Sequence, residues 1–171
     1  AVQLAHQAGA FIFGTAGSAE KLAGATELGM NVGINYKEQD FAEVIKDVTS
    51  GAGVDVLIDF IGAPYWDKNI ASLAVLGRLV EVGLMGGTKM EVDLRPLMAK
   101  RLQVCGTGLR GRTLGEKLEV TAQFRRHVLP HLASGSMKPI VDRTFPLEEV
   151  AEAHKYMETN ANFGKIVLTV D

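Results

Sequence analysis

Short apolar runs alternate along this chain with segments that carry apolar residues at helical spacing, and this alternation constrains the fold more than any other feature. The strongest run covers residues 54–61, whose middle is continuously apolar, as in strands buried on both faces of a parallel sheet. Strands that alternate with helices in this way are typical of βαβ units. The sequence therefore predicts an α/β protein with a Rossmann-like, doubly wound parallel sheet.

The predicted pattern changes character after Gly135. Before that residue, we predict strands at 10–14, 31–36, 54–61, 78–82 and 102–109. Between these strands we predict helices at 18–28, 66–75 and 94–100 and one that begins at 41, with a further helix at 1–7 before the first strand and one at 113–133 after the last. After it, we predict an extended segment at 139–145, a helix at 147–157 and a strand at 165–170. The chain is therefore predicted to contain two units, residues 1–135 and residues 136–171.

Composition and charge exclude several classes of function. The net charge is −2, with no basic cluster of the kind that nucleic-acid binding needs, so we expect no nucleic-acid partner. Cys105 is the only cysteine and is predicted to be a small buried residue, so we expect neither an intrachain disulfide nor a metal site. No apolar stretch is long enough to span a membrane, and we expect no signal peptide and a cytoplasmic location.

Residues directly after the predicted strands are candidate ligand contacts, because ligands of doubly wound sheets bind at the carboxyl ends of the strands. Ser18 and Lys21 follow the first strand, where an NAD site usually has an acid for the ribose 2′-hydroxyl. A hydroxyl at a helix N-terminus together with an ammonium group suits the 2′-phosphate of NADP instead. The alternative is that Ser18 only caps the helix and Lys21 is a surface residue.

Three later strand ends carry further candidates. Tyr36 ends the second predicted strand and is placed to contact the same phosphate, or it is simply a tyrosine at the edge of the core. Gly62 follows the apolar run and either lets a flat ligand approach the backbone or forms a plain turn. Three glycines between Gly83 and Gly87 indicate a similar approach. No residue of a catalytic triad or acid–base pair can be identified, so the catalytic residues stay unknown.

Several blocks of sequence together resemble one known family, and they extend over essentially the whole chain. The chain resembles the medium-chain dehydrogenase/reductase superfamily, and within it the zinc-free quinone oxidoreductases related to zeta-crystallin. The blocks that carry this resemblance are Thr15-Ala-Gly-Ser-Ala-Glu-Lys21, Ile34-Asn-Tyr36 with Asp40-Phe41, Gly51-Ala-Gly-Val-Asp-Val56, Asp59-Phe-Ile-Gly62, Gly77-Arg-Leu-Val80, Gly83-Leu-Met-Gly-Gly87, Ala153-His-Lys-Tyr-Met157 and Gly164-Lys-Ile-Val-Leu168.

The resemblance implies a cofactor and a reaction. Members transfer hydride from NADPH to quinones or related α,β-unsaturated carbonyls, in a Rossmann domain joined to a GroES-like catalytic domain. By family position, the 2′-phosphate contacts are Ser18, Lys21 and Tyr36; the adenosine and ribose contacts are Ile61 and Gly62; the nicotinamide-side contacts are Met85 and Gly86; and a late contact is Asn162. Residues 1–135 are thus expected to be an NADP-binding domain, and 136–171 the return segment of the catalytic domain.

The resemblance also indicates what this chain lacks. We expect it to begin inside a helix, without the first strand and the glycine-rich loop that bind the pyrophosphate, and to be inactive by itself. The alternatives are an enoyl reductase of the same superfamily and a non-catalytic, truncated dimerisation module. Family members pair through an edge strand of this sheet, so we expect a homodimer formed through residues 102–109.

Overall fold

The protein is described by a computed structural model, which covers residues 1–170. Its helices are α1 Val2–Gln7, α2 Ala19–Glu27, α3 Phe41–Val48, α4 Trp66–Ser72, α5 Arg95–Lys100, α6 Leu114–His127, α7 Leu129–Ser134 and α8 Val150–Glu158. Its strands are β1 Phe13–Ala16, β2 Val32–Asn35, β3 Val54–Asp59, β4 Leu73–Glu81, β5 Gln103–Gly106, β6 Val141–Pro146 and β7 Lys165–Thr169. Two 3-10 turns, Ala63–Tyr65 and Leu147–Glu149, precede α4 and α8.

The strands form only parallel pairs, which confirms the predicted α/β class. β1 pairs with β2, the order β3-β4-β5 forms a three-stranded sheet, and β6 pairs with β7. Strands β1 and β3 are not hydrogen-bonded to each other, so within residues 1–170 each keeps one unpaired edge.

Two apolar clusters hold these elements together. The first contains Ile34, Phe41 and Ile45, and both Phe13 of β1 and Val54 of β3 pack against it. The two parts of the sheet therefore share one core, although no hydrogen bond joins them. The second cluster lies under α4 and β4 and contains Ile70, Leu73 and Leu79, which are at most 4% exposed.

Side-chain caps start the helices that lead to the candidate site. The Ser18 hydroxyl accepts a hydrogen bond from the Lys21 backbone N–H at 3.4 Å, and the Asp40 carboxylate accepts one from the Ala42 N–H at 2.9 Å. Such caps satisfy backbone donors that have no partner within the helix. The predicted starts of α2 and α3 are thereby confirmed.

Lys100 fixes the far end of α4. Its ammonium group donates to the carbonyls of Ile70, Ala71 and Leu73, at 3.1, 2.9 and 2.8 Å, where α4 passes into β4. Partial burial lowers the pKa of Lys100. A cation at this position complements the negative end of the helix dipole and satisfies carbonyls that the helix leaves free.

The predicted burial of β3 on both faces is wrong. Val56 and Ile58 are 56% and 48% exposed, whereas Asp59 at the end of the strand is buried. Cys105 is likewise exposed rather than buried. The physical reason is the same in both places: no described element packs against the face of the strand on which these side chains lie.

Several predicted boundaries also differ from the structure: the first strand, predicted over 10–14, is Phe13–Ala16, and the fifth, predicted over 102–109, is Gln103–Gly106. Residues 73–75, assigned to the fourth helix, belong to β4, because the helix stops at Ser72 and Leu73 adopts extended backbone angles. The long helix predicted over 113–133 is divided at Val128 into α6 and α7. Pro130 causes this break, since proline has no N–H to continue the α6 ladder.

The C-terminal segment contacts the first two helices. The Gln3 side chain forms two hydrogen bonds of 2.8 Å with the backbone of Lys138, and the Phe163 ring lies directly against Gly24 of α2. β6 and β7 form a separate two-stranded sheet, and Asp171 lies outside the described residues. Among residues 1–170, no helix has both the length and the apolar character needed to cross a membrane.

Candidate functional site

The N-terminus of α2 brings three predicted site residues together. Ser18 is its cap, and Lys21 follows in the first turn. The Tyr36 hydroxyl lies so close to Gly17 that a Cβ atom at Gly17 would stand 2.5 Å from the phenolic oxygen. Gly17 therefore makes room for Tyr36, and the hydroxyl groups of Tyr36 and Ser18 share one end of the helix.

The charges around this helix end are mixed. The Lys21 ammonium donates to the Asn160 side-chain oxygen at 2.9 Å, and also to the Asn160 backbone oxygen. The Glu20 carboxylate is held by its own backbone N–H and by the Ser18 hydroxyl, and these hydrogen bonds lower its pKa. Lys37 contributes a second cation. Its side chain lies beside Gly17, because a Cβ atom at Gly17 would stand 3.1 Å from Lys37 Cε. An anion bound at this site would take the place of the Glu20 carboxylate as the acceptor of the hydrogen bond from the Ser18 hydroxyl.

A second group of predicted residues is held by Asp59 at the end of β3. Its carboxylate accepts hydrogen bonds from the backbone N–H groups of Ile61 at 2.9 Å and Gly62 at 2.8 Å. It also accepts one from the Asn69 side-chain amide of α4 at 3.1 Å. Asp59 and Asn69 are 4% and 1% exposed, so this network is shielded from water and fixes the turn after β3.

Backbone hydrogen bonds join that turn to the loop after β4. The Met85 N–H donates to Phe60 O at 3.1 Å, and the Gly86 N–H donates to Ile61 O at 2.8 Å. The bridge between Gly62 and Gly87 closes the pair of loops. The structure thus brings together Ile61, Gly62, Met85 and Gly86, the four residues predicted to lie along the ribose and nicotinamide.

The close approach of the two loops requires glycine. Gly62 has φ +85° and ψ −133°, and a Cβ there would lie 2.7 Å from the Gly87 carbonyl oxygen. This backbone region is populated almost only by glycine. A Cβ at Gly86 would lie 2.9 Å from Ile61 Cγ2. The Met85 side chain, by contrast, is 83% exposed and is free to cover a ligand.

Tyr65 connects the two groups of candidate residues. It ends the 3-10 turn that begins directly after Gly62, and its ring lies 5.2 Å from the Phe41 ring, centroid to centroid. Burial raises the pKa of the Tyr65 hydroxyl, and the neighbouring Tyr36 raises it further. Through Tyr65, the turn after β3 therefore lies beside Tyr36, whose hydroxyl reaches the N-terminus of α2.

Asn162 stays apart from the other candidates. It is half-buried, and its side-chain amide donates to Gly164 O at 3.2 Å. Within residues 1–170, no hydrogen bond joins it to the loops after β3 and β4 or to Ser18. Its segment nevertheless lies against α2, through Asn160 and Phe163.

Three residues that organise the site were not predicted as such: Asp59, Asn69 and Glu81. The Asp-x-x-Gly spacing of 59–62 is a turn signal that could have identified Asp59, since Asp side chains often bind backbone N–H groups two residues on. Glu81 is the register partner of Asp59 on β4. No local pattern reveals that pairing, because it depends on the alignment of two strands.

An open apolar groove lies elsewhere on the molecule. It runs between α6 and the segment before it and is lined by Leu109, Arg110, Lys117, Val120, Thr121 and Phe124. None of the candidate residues lines it. Across the part of the chain that the structure describes, no group of three or more His, Cys, Asp or Glu side chains is placed to hold a metal ion.

Residues 1–125 match the sequence model of one protein family, described as zinc-binding dehydrogenase. This match covers well over half of the chain, including α2, β3, β4 and the loops between them. The chain belongs to the zinc-binding dehydrogenase family. The candidate residues that converge in the structure all lie within the matched range, whereas Asn162, which stays apart from them, lies outside it.

Relatives of this zinc-binding dehydrogenase chain include two curated bacterial enzymes. A 2-haloacrylate reductase of Burkholderia is 33% identical over 98% of this chain and 50% of its own length. Quinone oxidoreductase 1 of Escherichia coli K12 is 32% identical over 98% of this chain and 52% of its own. The chain therefore spans about half the length of these relatives.

Solved structures agree with this assignment. The crystal structure of Escherichia coli quinone oxidoreductase complexed with NADPH matches 99% of this chain and 52% of its own, at a TM-score of 0.82 and 31% identity. The structure of a 2-haloacrylate reductase matches with a TM-score of 0.83 and 32% identity. The predicted superfamily and the dinucleotide-binding type of fold are thereby confirmed.

Proposed function

We propose that this chain forms the NADPH-binding part of a zinc-free quinone oxidoreductase, which transfers hydride from NADPH to a quinone. The observation that carries the proposal is the convergence of Ser18, Lys21 and Tyr36 at the N-terminus of α2. Relatives named quinone oxidoreductase, and one solved with NADPH, support it.

The N-terminus of α2 fits a 2′-phosphate. Ala16 ends β1, and Gly17 and Ser18 follow it, so no acid stands where an NAD-specific site would hold the ribose 2′-hydroxyl. The Ser18 and Tyr36 hydroxyls and the Lys21 ammonium supply donors, and the helix dipole favours an anion at this end. These residues would bind the phosphate and displace the Glu20 carboxylate from the Ser18 hydroxyl.

The paired loops after β3 and β4 fit the ribose and nicotinamide. Gly62 and Gly86 present bare backbone, which a flat ring can approach closely, and Met85 can exclude water above it. When bound, NADPH supplies the hydride. The protein's part is to hold the ring and a quinone in contact within a dry cleft.

Two further features complete the proposal. We infer that the reaction uses no zinc, as the resemblance of the sequence blocks to the zinc-free quinone oxidoreductases implies. The unpaired edges of β1 and β3, both packed on one apolar cluster, suit a further strand that carries the pyrophosphate-binding turn. The free thiol of Cys105 fits a reducing, cytoplasmic compartment.

Titration of the chain with NADPH, followed by cofactor fluorescence, tests the proposal. We expect NADPH to bind more tightly than NADH, and we expect a version extended upstream by a strand and a glycine-rich turn to bind far more tightly than residues 1–171. If the short chain binds NADPH as tightly as the extended one, the upstream turn is not needed. If neither binds, the chain has another role, such as a non-catalytic dimerisation module.

We also propose a homodimer formed through β5. All four residues of this strand are exposed, including Val104 at 42%, and one edge of β5 is unpaired among the described residues. An exposed strand edge readily pairs with another chain. We expect sedimentation to show a dimer at micromolar concentration, and Val104→Lys to shift it to monomer. The control is Val48→Lys, at an exposed position on α3. A monomeric wild-type chain would contradict the proposal.

Reduction of an activated carbon–carbon double bond is the second candidate activity. The observation that favours it is the 33% identity to a 2-haloacrylate reductase. Turnover assays with the protein that the gene encodes should compare a benzoquinone with a 2-enoyl thioester and 2-chloroacrylate, at equal NADPH. A higher kcat/KM for the benzoquinone supports the first candidate, and a higher value for either unsaturated acid derivative supports the second.

A further inference from the structure

Two acids stand side by side at the carboxyl ends of β3 and β4. Asp59 and Glu81 are register partners on these parallel strands, so their side chains lie on the same face of the sheet. Both oxygens of Asp59 already accept hydrogen bonds, from Ile61, Gly62 and Asn69. Both Asp59 oxygens therefore act as hydrogen-bond acceptors.

Glu81 has no partner if it is ionised. Its Oε2 atom is buried and receives no hydrogen bond within residues 1–170. A carboxylate left buried without a donor is costly, and a second carboxylate beside it adds repulsion. A proton on Glu81 removes both penalties, because the carboxyl is then neutral and can act as a donor toward its register partner Asp59. Burial first, and then the charge of Asp59 and this hydrogen bond, raise the pKa of Glu81.

No cation within the described residues neutralises the pair. On β5 the residue opposite Glu81 is Gly106, which has no side chain, and Cys105 precedes it. On the side of α4 stand the neutral amide of Asn69 and the hydroxyl of Tyr65, whose pKa burial raises. Lys68, the nearest cation of α4, forms an ion pair with Asp40 at 2.9 Å.

We propose that Glu81 is a positioning residue of the two site loops: in its protonated form, the Glu81 carboxyl donates a hydrogen bond to Asp59. Asp59 binds the turn after β3, and Glu81 leads directly into the loop after β4, so the shared proton holds residues 60–62 and 83–87 together. The part of this inference that concerns ligand binding rests on the proposed function.

Loss of the proton should loosen both loops. A glutamate whose pKa is higher in the folded than in the unfolded protein stabilises the fold fully below its unfolded pKa of about 4.3. That contribution is lost as the pH rises through the folded pKa. Glu81→Gln keeps a donor toward Asp59 at every pH, so the variant should escape this loss.

Urea unfolding from pH 5 to pH 9, followed by the fluorescence of Trp66, tests the shared proton without any cofactor. Trp66 is the only tryptophan and lies in α4, next to the network. We expect the urea midpoint of Glu81→Gln to exceed that of the wild type by a margin that widens as the pH rises. The matched control is Glu91→Gln, which removes an equal charge from an exposed acid. A margin that does not change with pH, or one that Glu91→Gln reproduces, overturns the proposal.

NADPH titration over the same pH range tests the positioning role. We expect the ratio of wild-type to Glu81→Gln affinity to fall by about threefold or more between pH 5 and pH 9, as the wild-type loops separate. A ratio that stays flat while the unfolding margin widens overturns the positioning role. If neither protein binds NADPH at any pH, the proposed function fails, and the unfolding margin still decides whether the proton is shared.

Discussion

Replacing Lys21 by glutamate is expected to weaken NADPH binding by about 10- to 100-fold, because a charge-assisted hydrogen bond contributes about 1.5–3 kcal/mol and tenfold in affinity corresponds to about 1.4 kcal/mol. NADH has no 2′-phosphate, so its binding should change by less than about threefold. The measurement is a fluorescence titration of both cofactors with the same protein preparation. Equal losses for NADPH and NADH would sink the assignment of Lys21 to the 2′-phosphate.

Two controls separate the charge of Lys21 from its contact with the C-terminal segment. Lys46→Glu makes the same change in charge at an exposed position of α3, and it should leave both affinities unaltered. Asn160→Gly removes the side-chain oxygen that binds Lys21, and glycine accepts the φ of +54° found at this position. We expect Asn160→Gly to retain NADPH binding or to improve it, since it frees the ammonium group.

Replacing Asp59 by alanine is expected to lower the free energy of unfolding by about 3 kcal/mol, because each buried donor left without an acceptor costs about 1–3 kcal/mol. Three donors lose their acceptor together: the backbone N–H groups of Ile61 and Gly62 and the Asn69 amide. Urea unfolding followed by Trp66 fluorescence measures the difference.

The same strand offers the control for this substitution. Asp55 lies four residues before Asp59 on β3 but is exposed, so Asp55→Ala should change the stability by less than about 0.5 kcal/mol. Asp59→Asn keeps one acceptor oxygen, and we expect an intermediate loss. A loss below about 1 kcal/mol for Asp59→Ala would show that the loop after β3 does not depend on this carboxylate.

Much of the candidate site is predictable because its residues occupy local positions that carry their own signal. Ser18 and Asp40 cap helices whose first turns need an acceptor, and such caps are determined within three residues of sequence. Gly62 lies in the turn after β3, in a backbone conformation that other residues avoid. The same local signals predict the α/β class, the order of most elements and the convergence of strand ends, since parallel strands end at one edge of a sheet.

The exposure of apolar residues could not be predicted in this way. The run in β3 is apolar enough for a strand buried on both faces, yet Val56 and Ile58 remain exposed, as does Cys105 in β5. Burial depends on which neighbours cover a strand, and the apolar pattern is the same whether those neighbours are present or not.

The sequence by itself thus determined the elements, their caps, the glycines at the strand ends and the family to which the blocks belong. Only the tertiary structure decided that Tyr36 reaches over Gly17, that Lys21 binds Asn160 across 139 positions, and that Asp59 meets Glu81. The physical reason is the separation along the chain of the residues that interact. Caps and turns are satisfied within a few residues, whereas strand register and helix docking are set by packing between segments that are distant in the chain.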